Sequence, residues 1–172
     1  MHIVLHEPEI PENTGNIGRT CVATGSVLHL IEPLGFHLTQ KNIRRAGMDY
    51  WERLEVHRYS SYEDFLEQNP DANIWYATTK AQHVYSDVTY EVSQGQDCYI
   101  MFGKESAGIP EEILMQHPDR CVRIPMVGEE RSLNLSNSVA IMLYEALRQS
   151  GFDHMNVNGE LHRHKWSDLR KG

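Results

Sequence analysis

The chain has 172 residues, which fits one domain with a short appendage. Sixteen Lys and Arg against twenty-four Asp and Glu give a formal net charge of −8, which argues against a surface that grips nucleic acid by general counterion release but leaves a local basic patch open. Forty per cent apolar content argues against a disordered or fibrous chain. No run of about eighteen apolar residues is present to span a membrane. The first eight residues lack the basic and apolar regions of a secretory signal, so a cytoplasmic protein is expected.

In chain order, short β-branched or aromatic runs at 2–5, 27–31, 54–59, 74–78, 98–102 and 121–124 lie between Gly, Pro, Asn or Asp and read as strands. Helical stretches separate them. Residues 13–24 start at Asn13 as cap and stop at Gly25. Ser60 and Glu63 form a candidate capping box for 62–68, and Pro110 can open a short helix over 111–115. The longest helix, 135–149, carries an apolar stripe of Val139, Met142, Leu143, Ala146 and Leu147. Strands alternating with helices predict an α/β domain, a mostly parallel sheet with helices on both faces. It spans residues 1–151, and residues 152–172 form a polar, partly ordered tail.

Cys21, Cys98 and Cys121 are odd in number with no CxxC spacing, so inert reduced core thiols are expected. His162 and His164 are two apart, which on a helix does not put both rings on one face, and no metal is expected.

Three segments concentrate Gly and polar residues where strand-to-helix turns should line a ligand crevice. The first is PENTGNIGRTC at 11–21, in which Asn13 and Arg19 are six apart and converge only if the chain bends at Gly15. The second is FGKESAGIP at 102–110. Its Gly103-Lys104 pair is not a phosphate loop, because Glu105 replaces the magnesium-binding Ser or Thr and Cys98 the leading glycine. The third, 124–138, holds Ser132, Asn134, Ser136, Asn137 and Ser138 within seven residues, more than one helix cap uses.

Together these segments resemble the three motifs of the SPOUT (SpoU-type) RNA 2′-O-ribose methyltransferases, in particular the short single-domain tRNA wobble-nucleotide group. The runs HEPEIPENTGNIGRTC, LHLIEPLGF, RRAGMDYWE, ATTK, FGKESAGIP and RSLNLSNSVAIMLYEALRQ carry the likeness over residues 2–150. The resemblance implies a C-terminal trefoil knot, S-adenosyl-L-methionine as methyl donor, and a homodimer. It also implies methylation of the ribose 2′-hydroxyl of cytidine 34 or 5-carboxymethylaminomethyluridine 34 in the anticodon loop of tRNA. A non-catalytic RNA-binding module on the same fold and a ribosomal RNA methyltransferase stay open as alternatives.

Carried onto this chain, the motifs place Arg19, Asn13, Glu105 and Asn134 in the catalytic group and Ala77, Gly103, Ile124 and Ser132 at the cofactor. The family likeness makes Arg19 the base that takes the hydroxyl proton. A guanidinium with pKa above ~12 is a poor base, and clamping a phosphate or a developing oxyanion suits it better. For RNA, the cationic stretch Lys41, Arg44, Arg45 and Arg53 joins Arg19, with Tyr50 and Trp51 as rings to stack on a base.

Overall fold

A computed structural model describes residues 1–38, 50–90, 97–128 and 132–166. Seven strands form one sheet: β1 (His2–His6), β2 (Val27–Ile31), β3 (Val56–Tyr59), β4 (Asn73–Ala77), β5 (His83–Val84), β6 (Cys98–Phe102) and β7 (Cys121–Arg123). Their spatial order is β3-β2-β1-β6-β4-β7-β5, and every pairing is parallel. Among the described residues the α-helices are α1 (Pro11–Thr24), α2 (Tyr62–Gln68), α3 (Glu111–Gln116) and α4 (Leu135–Gln149).

Alternation along the strands divides the core in two. Ile3, Leu5, Leu28, Leu30, Ile100 and Phe102 face one side, where Ile17 and Cys21 of α1 and Val139, Met142, Leu143 and Ala146 of α4 close over them. Val4, Ile31, Tyr76 and Met101 face the other, under Phe65 of α2 and Ile113 and Leu114 of α3. Helices therefore cover both faces, as the strand pattern predicts, and the apolar stripe of α4 is buried throughout. At roughly 25 cal/mol per Å² of apolar surface removed from water, this burial is the main force holding the sheet together.

The differences from the sequence reading lie at element ends. Asn13 does not cap α1; Ile10 occupies that position without a side-chain bond, and Pro11 opens the first turn. Gly25 does end the helix, at φ 66°. The cap of α2 is Ser61 rather than Ser60, its hydroxyl accepting from Asp64 N while the Asp64 carboxylate accepts from Ser60 N–H. The two-residue β5 escapes a period-based reading because only its pairing with β7 defines it. All three cysteines are free and buried, and burial pushes the Cys21 and Cys98 thiols up to about 12. In the tail, Phe152 and Met155 pack against the α1/α4 side of the core, and residues 156–166 are exposed.

Candidate active site

Strand order reverses around β1, which leads to β2 on one side while β6 and β4 lie on the other. In open parallel sheets the crevice outside the carboxyl ends of the strands at such a point binds ligands. Here it holds a cavity of about 630 Å³, within the ~300–1,000 Å³ usual for small-molecule sites. Asn13 comes from the segment after β1, Ala77 from the end of β4, Gly103 from just past β6 and Ile124 from just past β7. Ser132 and Asn134 enter from the segment leading into α4. Seven of the eight residues put forward as catalytic or cofactor-binding thus line one cavity: Asn13, Ala77, Gly103, Glu105, Ile124, Ser132 and Asn134.

Three of them form a hydrogen-bonded chain. Asn13 Nδ2 donates to Glu105 Oε1 at 2.9 Å, and Asn134 Nδ2 donates to Asn13 Oδ1 at 2.9 Å. Asn134 also caps α4, its Oδ1 accepting from Ser136 N at 2.9 Å and from the Ser136 hydroxyl at 2.7 Å. Glu105 Oε2 accepts from Glu9 N at 2.8 Å, and Oε1 from Ile10 N at 3.3 Å. Asn13 is buried, so its amide has no freedom to exchange these partners for water.

Gly103 sits where no other residue fits. A Cβ there would lie 1.9 Å from Gly108 C, 2.1 Å from Ile109 N and 2.4 Å from Gly108 O, all backbone atoms. The turn Lys104–Gly108 thus folds back onto Gly103, closed by Gly108 N–H donating to Lys104 O at 2.8 Å, and presents main chain to the cavity. Opposite, Ile124, Met126, Val122 and Met142 supply apolar wall.

Arg19 is the exception. Helix α1 runs unbroken through Gly15 and Gly18, so Asn13 turns into the crevice while Arg19 projects, exposed, on another side. It does not line the cavity and, among the described residues, has no hydrogen bond or ion pair. Tyr50 is not a free stacking ring, whereas Trp51 is half-buried. Tyr50 is 8% exposed with its hydroxyl donating to Gly15 O at 2.5 Å, and Trp51 packs beside Gly18. The aromatic run that suggested base stacking is used to seat the chain against α1. Arg53 is exposed; Lys41, Arg44 and Arg45 lie outside the described residues. Among the described residues no three His, Cys, Asp or Glu gather in a metal-binding arrangement, and no helix is long and apolar enough to cross a membrane.

Sequence reasoning missed Glu9 and Glu7. Glu9 Oε1 and Oε2 accept from the Ser106 hydroxyl and N–H, each at 2.8 Å, and Lys104 Nζ pairs with Glu7 Oε2 at 2.8 Å. The Ser106 donors hold the Glu9 carboxyl below the usual range. The signal available was two acidic residues after β1 facing a Lys and a Ser after β6, some 97 positions away.

Fold and cleft together define a class: a parallel α/β domain with a small-molecule-sized cavity at the carboxyl ends of its strands and a polar chain of side chains set beside it. The SpoU rRNA Methylase family model matches residues 1–144, and the chain belongs to that family. It is 49% identical over 151 residues to a putative tRNA (cytidine(34)-2′-O)-methyltransferase of Listeria monocytogenes, covering 88% of this chain and 89% of that protein. With the tRNA (cytidine(34)-2′-O)-methyltransferase of Escherichia coli K12 it shares 47% identity, covering 88% and 95%. A solved structure described as giving insights into 2-OH methylation of C/U34 on tRNA superposes with TM-score 0.79 at 39% identity, covering 88% of this chain and 96% of that one. An AdoMet-bound rRNA methyltransferase from Sinorhizobium meliloti aligns at TM-score 0.73 and 27% identity, over 86% of this chain and 55% of that one.

Proposed function

We propose that this protein transfers a methyl group to the ribose 2′-hydroxyl of the wobble nucleotide of tRNA, cytidine 34 or 5-carboxymethylaminomethyluridine 34, with S-adenosylmethionine as donor. The observation that carries it is the convergence of Asn13, Glu105 and Asn134 as one hydrogen-bonded chain on the same cavity as Ala77, Gly103, Ile124 and Ser132. Near-half identity over almost the whole of relatives named for that reaction supports the nucleotide assignment.

The cavity fits the donor. Gly103, which tolerates no Cβ, and the 103–108 turn offer backbone groups for a polar ligand, while Ile124 and Met126 offer apolar surface to an adenine face. When bound there, the donor supplies a sulfonium methyl group that the ribose 2′-oxygen can take, with the S–CH3 bond breaking to leave S-adenosylhomocysteine and the hydroxyl proton passing to solvent. Ala77 and Gly103 hold the ligand through main-chain groups, and Ser132 adds a hydroxyl. Asn13 and Asn134, locked by Glu105, fix the substrate ribose so that its 2′-oxygen is held in line; positioning of this kind is worth several kcal/mol, on the order of 7–11 in the best intramolecular cases.

Arg19 acts as the clamp on phosphate or on the charge developing at the 2′-oxygen. Its guanidinium, exposed and without a hydrogen bond or ion pair among the described residues, supports a partner arriving from outside the protomer. A homodimer supplies one way to bring it to a cavity, and exposed Ile141 and Tyr144 on the outer face of α4 support a second copy there. Lys41, Arg44 and Arg45 add cationic contacts to the RNA, the C-terminal trefoil knot belongs to the same reading, and the setting is cytoplasmic. Calorimetric titration with S-adenosylmethionine and then with tRNA tests this. Saturable binding of both at a defined stoichiometry is expected, and tRNA binding without donor binding would favour the non-catalytic RNA-binding module.

A further inference from the structure

The chain Glu105–Asn13–Asn134 is only as well aimed as its first member, and Glu105 stands on a turn rather than on a strand or helix. What fixes that turn is a reciprocal latch. The segment after β1 gives Glu9 N–H to Glu105 Oε2 at 2.8 Å. The segment after β6 gives Ser106 N–H and O–H to the two Glu9 carboxylate oxygens, each at 2.8 Å. Each segment therefore supplies a carboxylate and receives one. One such bond would leave the turn free to pivot, whereas oppositely directed charge-assisted bonds fix both its distance and its tilt.

Two further features stiffen the latch. Glu7 adopts a left-handed backbone with φ 52°, unusual for a residue with a Cβ, and is held there by its N–H to Ile31 O at 3.0 Å and by Lys104 Nζ at 2.8 Å. Behind it, Gly35 N–H donates to Pro8 O at 2.9 Å, and a Cβ on Gly35 would meet Glu9 Cα at 2.7 Å, so the segment is backed by main chain. Three carboxylates converge in this region, and Lys104 is the cation that offsets their repulsion.

We propose that Glu9, latched to Ser106 and backed by the Glu7–Lys104 ion pair, is a positioning residue for the transfer, setting the orientation of Glu105 and through it of Asn13 and Asn134. It touches neither donor nor ribose. The inference rests on the methyl-transfer reading, which supplies the reaction to be positioned, and one of its readouts does not depend on that reaction.

The readout independent of activity is the Asn13 side-chain amide resonance. In Glu9→Ala it moves toward the position of an unbonded amide, while the melting profile followed by circular dichroism keeps a single cooperative transition. With turnover, Glu9→Ala lowers kcat about 10–100-fold with the donor KM within about twofold, the loss expected for releasing bonds to a charged group. Ser106→Ala loses less, Ser106→Thr restores nearly full rate, and Glu9→Ala added to Glu105→Ala costs nothing more, because both act through one chain. An unmoved Asn13 resonance, full kcat in Glu9→Ala, or losses that multiply in the double variant would overturn the proposal. A shifted Asn13 resonance in Glu9→Ala, together with a wild-type protein that transfers no methyl group, would keep the latch as structure and overturn its role in this reaction.

Discussion

Gly103→Ala is a one-methyl change whose consequence follows from the close approach of the 104–108 turn. Its new Cβ would lie 1.9 Å from Gly108 C and 2.1 Å from Ile109 N, against ordinary contact at 3.4 Å or more, so the 104–108 turn must retreat by about 1.5 Å. The obstructing atoms are backbone, which cannot rotate away as a flexible side chain could. Retreat strains the Gly108 N–H to Lys104 O bond at 2.8 Å and carries Glu105 with it. Overpacking of this kind costs about 1–3 kcal/mol, and a weakened hydrogen bond about 1 more. At roughly 2–4 °C per kcal/mol for a chain of this size, the melting temperature should fall by about 5–15 °C. Differential scanning calorimetry reads that fall. Titration calorimetry on the folded variant should show S-adenosylmethionine binding at least tenfold weaker. Gly128→Ala is the control, since among the described residues, its chain neighbours aside, no atom lies within 4 Å of the added Cβ, and it should change neither quantity. A Gly103→Ala protein with unchanged melting temperature and donor affinity would refute the close-approach reading of the turn.

Glu105→Gln leaves an amide where Glu9 N–H, Ile10 N–H and the Asn13 amide all donate, so at least one donor faces another donor; kcat should drop about 10–100-fold in a steady-state methyl-transfer assay. Arg19→Ala should abolish most activity with donor binding intact, and Arg19→Lys should also be slow; near-normal turnover in Arg19→Lys would undercut both a bidentate clamp and a base. His29 is hydrogen-bonded to His2 and Tyr59, at 2.8 Å each, and stacked on His57; burial lowers its pKa from 6.5 to about 3. Its folded value is depressed, so the unfolded chain binds the proton more readily. This stability contribution is full above about pH 6.5 and is lost as pH falls toward 3, by at most about 1.4 kcal/mol per pH unit. Urea midpoints measured from pH 8 to pH 4 should fall less steeply in His29→Phe than in wild type.

Most of the sheet was legible because buried parallel strands read as short β-branched runs, and α4 because its stripe keeps a helical period over fifteen residues. Caps were less legible. Ser60 and Ser61 are chemically equivalent in the sequence, and only the Asp64 N–H direction decides which one bonds it. Asn13 looked like a cap because its amide suits one; its real partners, Glu105 and Asn134, lie 92 and 121 positions away. The latch was invisible for the same reason, since Glu9 and Ser106 are ordinary surface residue types until two loops meet. Tyr50 was misread because aromatic rings beside arginines suit RNA stacking and core packing equally well, and burial alone separates the two. The net charge of −8 remains informative: such a chain holds RNA through local contacts, so tRNA affinity should show only a modest salt slope.

The most direct measurement is the position of the methyl group itself. Purified protein is incubated with S-adenosylmethionine carrying a labelled methyl group and tRNA from a strain lacking the gene, and the nuclease-resistant dinucleotides are mapped. Label on the ribose of nucleotide 34 is the expected result. Label on a base, on another nucleotide, or in ribosomal RNA while tRNA stays unlabelled would contradict it.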